Sequence, residues 1–153
     1  MNRKMKFQKI TPYLWFDTKA KEAAEFYCSI FDNSEIISDG GTLVEFVLDG
    51  INFIALNGGP QFQFNEAVSF YVLCKDQKEI NYLWDKLTSD GGSEGRCGWC
   101  KDKYGVSWQI VPKRFVEIMK TGTPEQTKRV IGAMMKMNKM IIADFERAFS
   151  NGK

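Results

Sequence analysis

At 153 residues, 44% hydrophobic, 14% aromatic and 26% charged, the chain has the size and composition of an ordinary globular protein whose core needs no disulfide support, which excludes a disordered chain. Its net charge of +2 is too small to imply a nucleic-acid or membrane partner, no apolar run approaches the roughly 20 residues of a membrane span, and histidine is absent, which restricts mechanism more than any residue present. Four cysteines and a basic N-terminal Met1–Lys6 with no apolar stretch behind it predict a cytoplasmic chain with reduced thiols.

Ile10 to Phe16 is an apolar, aromatic run with Pro12 near its start, which predicts a strand at an edge or first position. Ala20, Ala23, Ala24, Tyr27, Ile30 and Phe31 then recur at the spacing of an amphipathic helix, with Thr18 as the expected N-cap and Asp32-Asn33-Ser34 as the stop. Thr42 to Leu48 and Ile51 to Leu56 flank Asp49-Gly50, the signature of a hairpin. Asn57 through Glu66 is polar and rich in turn formers, and a boundary between two modules is expected there. Ala67 to Cys74 alternates Val68, Phe70 and Val72 against Ser69, Tyr71 and Leu73, as a strand does.

Asp76 to Glu79 reads as a capping box ahead of Ile80, Leu83, Trp84 and Leu87 at helical spacing, and Asp90-Gly91-Gly92 closes that helix. Trp99 to Pro112 is again strand, polar turn, strand. A last helical region opens at Thr123-Pro124, a good N-cap followed by a residue suited to the first turn. Val130, Ile131, Met134, Met135, Ile141, Ile142, Phe145, Ala148 and Phe149 continue it as one long helix or two short ones broken near Asn138. Lys113, Arg114, Lys120, Lys128, Arg129, Lys136 and Lys139 against Glu117 and Glu125 make this quarter basic, in the manner of a solvated helix face. Its methionines serve either as packing filler or as an adaptable binding face.

The segment Trp99 to Pro112 echoes Phe46 to Asn57. Aligning Gly50 with Gly105 pairs Phe53 with Trp108, and the helices that precede have nearly the same offset. The chain is therefore a duplicated unit, and two modules of this length are expected to share one sheet.

A βαβββ unit repeated once, with strand-to-helix junctions at Asp17 and Asp76 and a closing Asp102-x-x-Gly-x-x-Trp-Gln strand, resembles the vicinal oxygen chelate superfamily of glyoxalases and bleomycin-resistance proteins. Within it, Tyr13-Leu-Trp-Phe-Asp17, Ala55-Leu-Asn-Gly-Gly-Pro60 and Gly98-Trp-Cys-Lys-Asp-Lys-Tyr-Gly-Val-Ser-Trp-Gln-Ile-Val-Pro112 are similar to the PhnB-like branch, some of whose members are labelled 3-demethylubiquinone-9 3-methyltransferases. The likeness runs from about Phe7 to Ala148. It implies an α+β single domain over 1–153: modules at about 7–57 and 67–112 joined by a linker at 58–66, and C-terminal helices over about 123–149. The modules would form a cupped mixed sheet with a ligand on its concave side and helices on its convex side, and the protein would be a homodimer.

Metal-dependent members of the superfamily hold an ion at four positions, which fall here on Ile10, Ser69, Ile54 and Gln109. Only Gln109 is a plausible ligand among them, and a divalent ion needs three or four N, O or S donors, so neither a metal nor another cofactor is expected. The methyl-transfer label finds no glycine-rich strand-to-helix turn of the kind that cradles S-adenosylmethionine.

Gln109 either turns into the cup, where its amide can donate and accept, or bonds to a neighbouring strand or water. Glu45 shares a strand face with Leu43 and Val47, as a cup carboxylate able to act as acid or base or as an idle exposed group. Trp15, Trp99, Tyr71 and Tyr104 are pocket walls or core. Cys97-Gly98-Trp99-Cys100 is a CxxC entering a strand rather than a helix, so a redox or metal role is disfavoured. The reading preferred is a metal-free small-molecule-binding protein; against it stand an enzyme using Glu45, Gln109 or a tyrosine, and an interaction module whose Met134, Met135, Ile141 or Phe145 fill a partner's cup.

Overall fold

The computed structural model describes residues 7–151, so the Met1–Lys6 segment lies outside the described residues. Contacts divide the chain into two compact units, the first ending at Gln63 and the second starting at Phe64. Each contains a four-stranded mixed sheet of one topology, so the class is α+β with a duplicated βαβββ unit. Strand pairing closes within each module rather than running on through a single ladder.

In the first unit, β1 (Tyr13–Phe16) lies parallel to β4 (Ile51–Asn57), which pairs antiparallel with β3 (Leu43–Leu48), and β3 with β2 (Glu35–Asp39). Asp49 and Gly50 both take positive φ, 48° and 80°, the two-residue turn that matches strand twist and that Asp-Gly predicts. α1 (Ala20–Ile30) packs on one sheet face through Ala20, Ala23, Ala24, Tyr27 and Ile30. The small alanines let the helix approach closely, and the Tyr27 ring stacks at 6.3 Å on Phe46, itself 5.3 Å from Phe53.

Two local expectations need correction here. The strand begins at Tyr13, not Ile10. The helix is preceded by Lys19 without a side-chain cap, and Thr18 plays no such part: the Ala20 N–H donates instead to Asn57 Oδ1 at 2.8 Å. An orphan helical N–H donates to whichever carbonyl reaches it, and the end of β4 brings one from far along the chain.

The second unit repeats the pattern with β5 (Ser69–Cys74), α2 (Gln77–Thr88), β6 (Ser93–Glu94), β7 (Trp99–Lys101) and β8 (Ser107–Pro112), in the order β5-β8-β7-β6. Asp76 caps α2 by accepting from the Glu79 N–H at 2.9 Å, which is the Asp76 half of the expected capping box, and Ile80, Leu83, Trp84 and Leu87 are buried, as expected. The hairpin between β7 and β8 is one residue longer than its counterpart, because Asp102 pairs with Val106 around Lys103, Tyr104 and a left-handed Gly105 at φ 88°. Asp102, 2% exposed, organises it: Oδ1 accepts from the amides of Tyr104 (2.8 Å) and Val106 (3.1 Å), and Oδ2 accepts from Trp108 Nε1 (2.9 Å). The Asp-x-x-Gly-x-x-Trp pattern is thus a turn brace.

Three helices complete this unit: α3 (Lys113–Thr121), which the sequence pattern left unassigned, α4 (Pro124–Met134) and α5 (Ile142–Phe149). Thr123 and Gln126 form a full capping box with Pro124 in the first turn, and the break falls at 135–141 around Asn138. Ile118, Val130, Met137, Met140 and Phe145 bury one another together with Val111 of β8, so these methionines fill core. Arg114 holds Glu146, and Arg129 Nε donates to the Ala148 carbonyl at 2.8 Å, closing the last turn of α5. No helix among the described residues is long and apolar enough to cross a membrane.

Candidate functional site

Residues opposed across a ladder point to the same face, and successive residues to opposite faces. In the second unit Phe70, Val72, Cys74, Cys100, Trp108 and Ile110 face α2, which leaves Ser69, Tyr71, Leu73, Trp99, Lys101, Ser107, Gln109 and Val111 on a face without α2. Tyr71, Gln109 and Trp99 stand in direct register across β5, β8 and β7, so three residues singled out from sequence form one row. Along β8 this face passes from buried Ser107 through half-buried Gln109 to Val111, where the C-terminal core closes its end. The C-terminal helices thus pack on their own module.

Gln109 Nε2 donates to Ser69 Oγ at 2.9 Å, so the bond to a neighbouring strand is real, while the amide carbonyl keeps its acceptor capacity. Tyr71 is 51% exposed, and burial of the remainder raises its pKa. Tyr104 sits in the hairpin turn rather than in the row, with Lys103 Nζ 5.5 Å from its ring. Lys101 is bonded to Glu66, which holds that carboxylate below its usual range.

The first unit places Trp15 and Glu45 on its own face without α1, but not side by side. Its row equivalent to Tyr71-Gln109-Trp99 is Tyr13-Ile54-Glu45, and Trp15 lies one step on, level with Leu56 and Leu43. Glu45 accepts from Ser38 Oγ at 2.9 Å. Trp15 braces the linker: its Nε1 donates to the Gly59 carbonyl at 2.9 Å, Phe62 meets its ring edge-on at 5.0 Å, and a Cβ on Gly58 would lie 2.3 Å from the indole. Only glycine fits at 58.

The positions inherited for a metal do not suit one. Ile54 is aliphatic, Ile10 is exposed outside any strand, and the Gln109 N–H is committed to the neutral Ser69 hydroxyl. Such a donor set offers no anionic or imidazole ligand. A shallow groove of about 360 Å³ between α4 and α5, lined by Ala133, Lys136, Met137, Asp144, Arg147 and Ala148, lies apart from the row and carries an Asp144–Arg147 ion pair at 3.0 Å.

The CxxC is not arranged for thiol chemistry. Cys100 is buried against Trp108, and desolvation with Asp102 and Glu94 nearby pushes its thiol up to about 12; burial likewise pushes Cys74 to about 12 and Cys28 to about 11. Cys97 is half-exposed, in a left-handed turn pinned by the Cys97 N–H to the Met137 carbonyl at 2.8 Å. At about pH 8, iodoacetamide is expected to modify Cys97 first and Cys74 and Cys100 only after unfolding, as peptide mass mapping would show. Rapid labelling of native Cys100 would contradict this burial.

What sequence reasoning missed on this face are Ser107, Lys101 and Glu66. The available signal was alternation alone, which places Ser107 two residues from Gln109 and Lys101 two from Trp99.

Comparison with known proteins agrees with the geometry. Residues 8–111 match the family model described as 3-demethylubiquinone-9 3-methyltransferase. A PhnB protein of Bacillus cereus, provisionally described as a 3-demethylubiquinone-9 3-methyltransferase, is 36% identical with a TM-score of 0.63 over 69% of this chain and 99% of its own. Two further structures share the fold at 12% identity and a TM-score of 0.51: a glyoxalase-related enzyme of Fulvimarina pelagi, over 71% of this chain and 91% of its own, and a fosfomycin resistance protein of Listeria monocytogenes, over 70% and 91%. Among curated proteins none matches. Helices α3 to α5 lie beyond the matched family region.

Proposed function

Since the chain belongs to the PhnB-like 3-demethylubiquinone-9 3-methyltransferase family, within the glyoxalase and bleomycin-resistance fold, we propose that it binds a small molecule, without a metal ion, on the helix-free face of its second sheet. The observation that carries this is the row Tyr71-Gln109-Trp99: an amide with unspent hydrogen-bonding capacity flanked by two aromatic side chains. Apolar walls with one or two polar anchors are what a ligand pocket provides. An amide, an indole and a phenol whose pKa is raised by burial favour binding over proton transfer.

A homodimer belongs to the same proposal. Its support is the edge strand β5, where Tyr71 and Leu73 are 51% and 52% exposed and Val68, just before it, 70%. Unpaired apolar edges of this kind favour a covering partner.

The family's methyl-transfer description finds little purchase in these residues. The junctions from β1 to α1 and from β5 to α2 contain no glycine for a nucleotide to approach. Native mass spectrometry with an NMR titration of the full chain tests the proposal: a dimer is expected, with planar probes such as indole-3-acetate or indole-3-acetamide shifting the Trp99 and Gln109 side-chain N–H signals, unaffected by EDTA. Failure of both probes, or binding that EDTA abolishes, would overturn it. Binding of S-adenosylmethionine would replace it with methyl transfer.

A further inference from the structure

One step along β8 from Gln109, the Ser107 side chain is buried at 2% exposure and its hydroxyl has no hydrogen-bond partner among the described residues. A buried unpaired hydroxyl costs about 1–3 kcal/mol, and such groups are rare in native proteins unless something else satisfies them. Ser107 is the middle member of a second row, Ser69-Ser107-Lys101, on the same face. Lys101 on β7 is bonded to Glu66, in the segment leading into β5, and β8 lies between those two strands. The ion pair therefore ties the β7 member of this row to the segment that leads into β5.

Each member of this row has a donor to offer an anion. Ser69 accepts from Gln109 and so has its own O–H to give, Ser107 has an uncommitted O–H, and Lys101 carries a full positive charge. Among the described residues the anion bonded to this row is Glu66, whose side chain is 65% exposed and comes from the loop rather than the sheet. Tyr71, Gln109 and Trp99 stand one row further on.

We propose that Lys101, Ser107 and Ser69 form the anchor for the carboxylate of a small aromatic acid, and that Glu66 is a built-in placeholder which the ligand displaces. The inference rests on the reading that this face binds a small molecule. An exposed ion pair contributes only about 0–1 kcal/mol, so exchanging the Glu66 carboxylate for the ligand's costs little. The incoming carboxylate gains the Ser107 hydroxyl, and its ring lies toward Tyr71 and Trp99. Burying an unsatisfied group in the free protein is the expected cost of a site prepared in advance.

The experiment is an NMR or calorimetric titration of the full chain with indole-3-acetate and the isosteric neutral indole-3-acetamide. The acid is expected to bind about tenfold tighter than the amide, the size of a charge-assisted hydrogen bond. Lys101→Met erases that preference, and Glu66→Gln, by removing the competitor, tightens the acid several-fold. Ser107→Ala weakens the acid while leaving its thermal midpoint unchanged or higher, since only an unpaired hydroxyl is lost. Equal affinity for the two probes would sink the carboxylate anchor and leave small-molecule binding standing. Ser107→Ala that lowers the midpoint without changing binding would show that the hydroxyl is satisfied within the protein, and would also overturn the proposal. Failure of both probes removes the parent reading, and this one with it.

Discussion

Asp102→Ala is expected to lower stability by about 3–5 kcal/mol, among the largest losses available to a single substitution in this chain. The carboxylate is buried and accepts from the amides of Tyr104 and Val106 and from the Trp108 indole. Alanine leaves all three without their acceptor in a place water does not reach, and each buried donor so stranded costs on the order of 1–3 kcal/mol. The turn is also what sets β7 against β8, so its loss disturbs the register that aligns Trp99 with Gln109. Thermal unfolding of a chain this long would show the loss as a midpoint lowered by roughly 10–15 °C. Asp102→Asn keeps an acceptor for some of these donors but sets an NH₂ group against the others, and an intermediate loss follows. An alanine variant within about 1 kcal/mol of wild type would mean that the turn is held by its backbone bonds alone.

Phe145→Ala is the second large effect, at about 3–5 kcal/mol, the usual range for deleting a fully buried ring. Phe145 is 0% exposed, lies 5.1 Å from the Phe115 ring and belongs to the cluster of Val111, Ile118, Val130, Met137 and Met140. Because Val111 is part of β8 as well as of that cluster, the cavity is expected to weaken sheet and helices together. Other ties run the same way: Gln77, at the start of α2, donates to the Met140 carbonyl at 3.0 Å and accepts from the Ile142 N–H at 2.8 Å. Hydrogen exchange is the discriminating measurement. Faster exchange in β5 and β8 as well as in α3 to α5 is expected, and Cys97 should become more reactive as residues 135–141 release its turn. Exchange confined to the helices would make the extension an independent appendage.

The extension also bears on the helix-free face of the second sheet. By burying Val111 it closes one end of that face. The helices that make this closure lie beyond the matched family region.

Sequence by itself determined the elements whose causes are local. The Asp49-Gly50 turn, the apolar stripe of α2, the Asp76 cap and the Thr123-Pro124 start each depend on neighbours within a few residues, and each stands as expected. The duplicated hairpin motif likewise carried the repeat and, with it, the family. α3 escaped because its Phe115, Val116, Ile118 and Met119 were masked by the basic residues around them, although their spacing is helical.

Tertiary structure alone decided what depends on distant partners. The first helix takes its capping acceptor from Asn57 instead of Thr18 because strand pairing delivers that amide to the helix start, which no local pattern encodes. Trp15, singled out from sequence as a pocket wall or core residue, braces the linker through Gly58 and Gly59. Gln109 and Trp99 acquired significance only through register, since one residue of slip would send both to the opposite face. Ser107 was the least legible of all. A serine in a strand is unremarkable until the fold buries it and gives its hydroxyl no partner among the described residues, and burial is a property of the packed chain rather than of any segment of it.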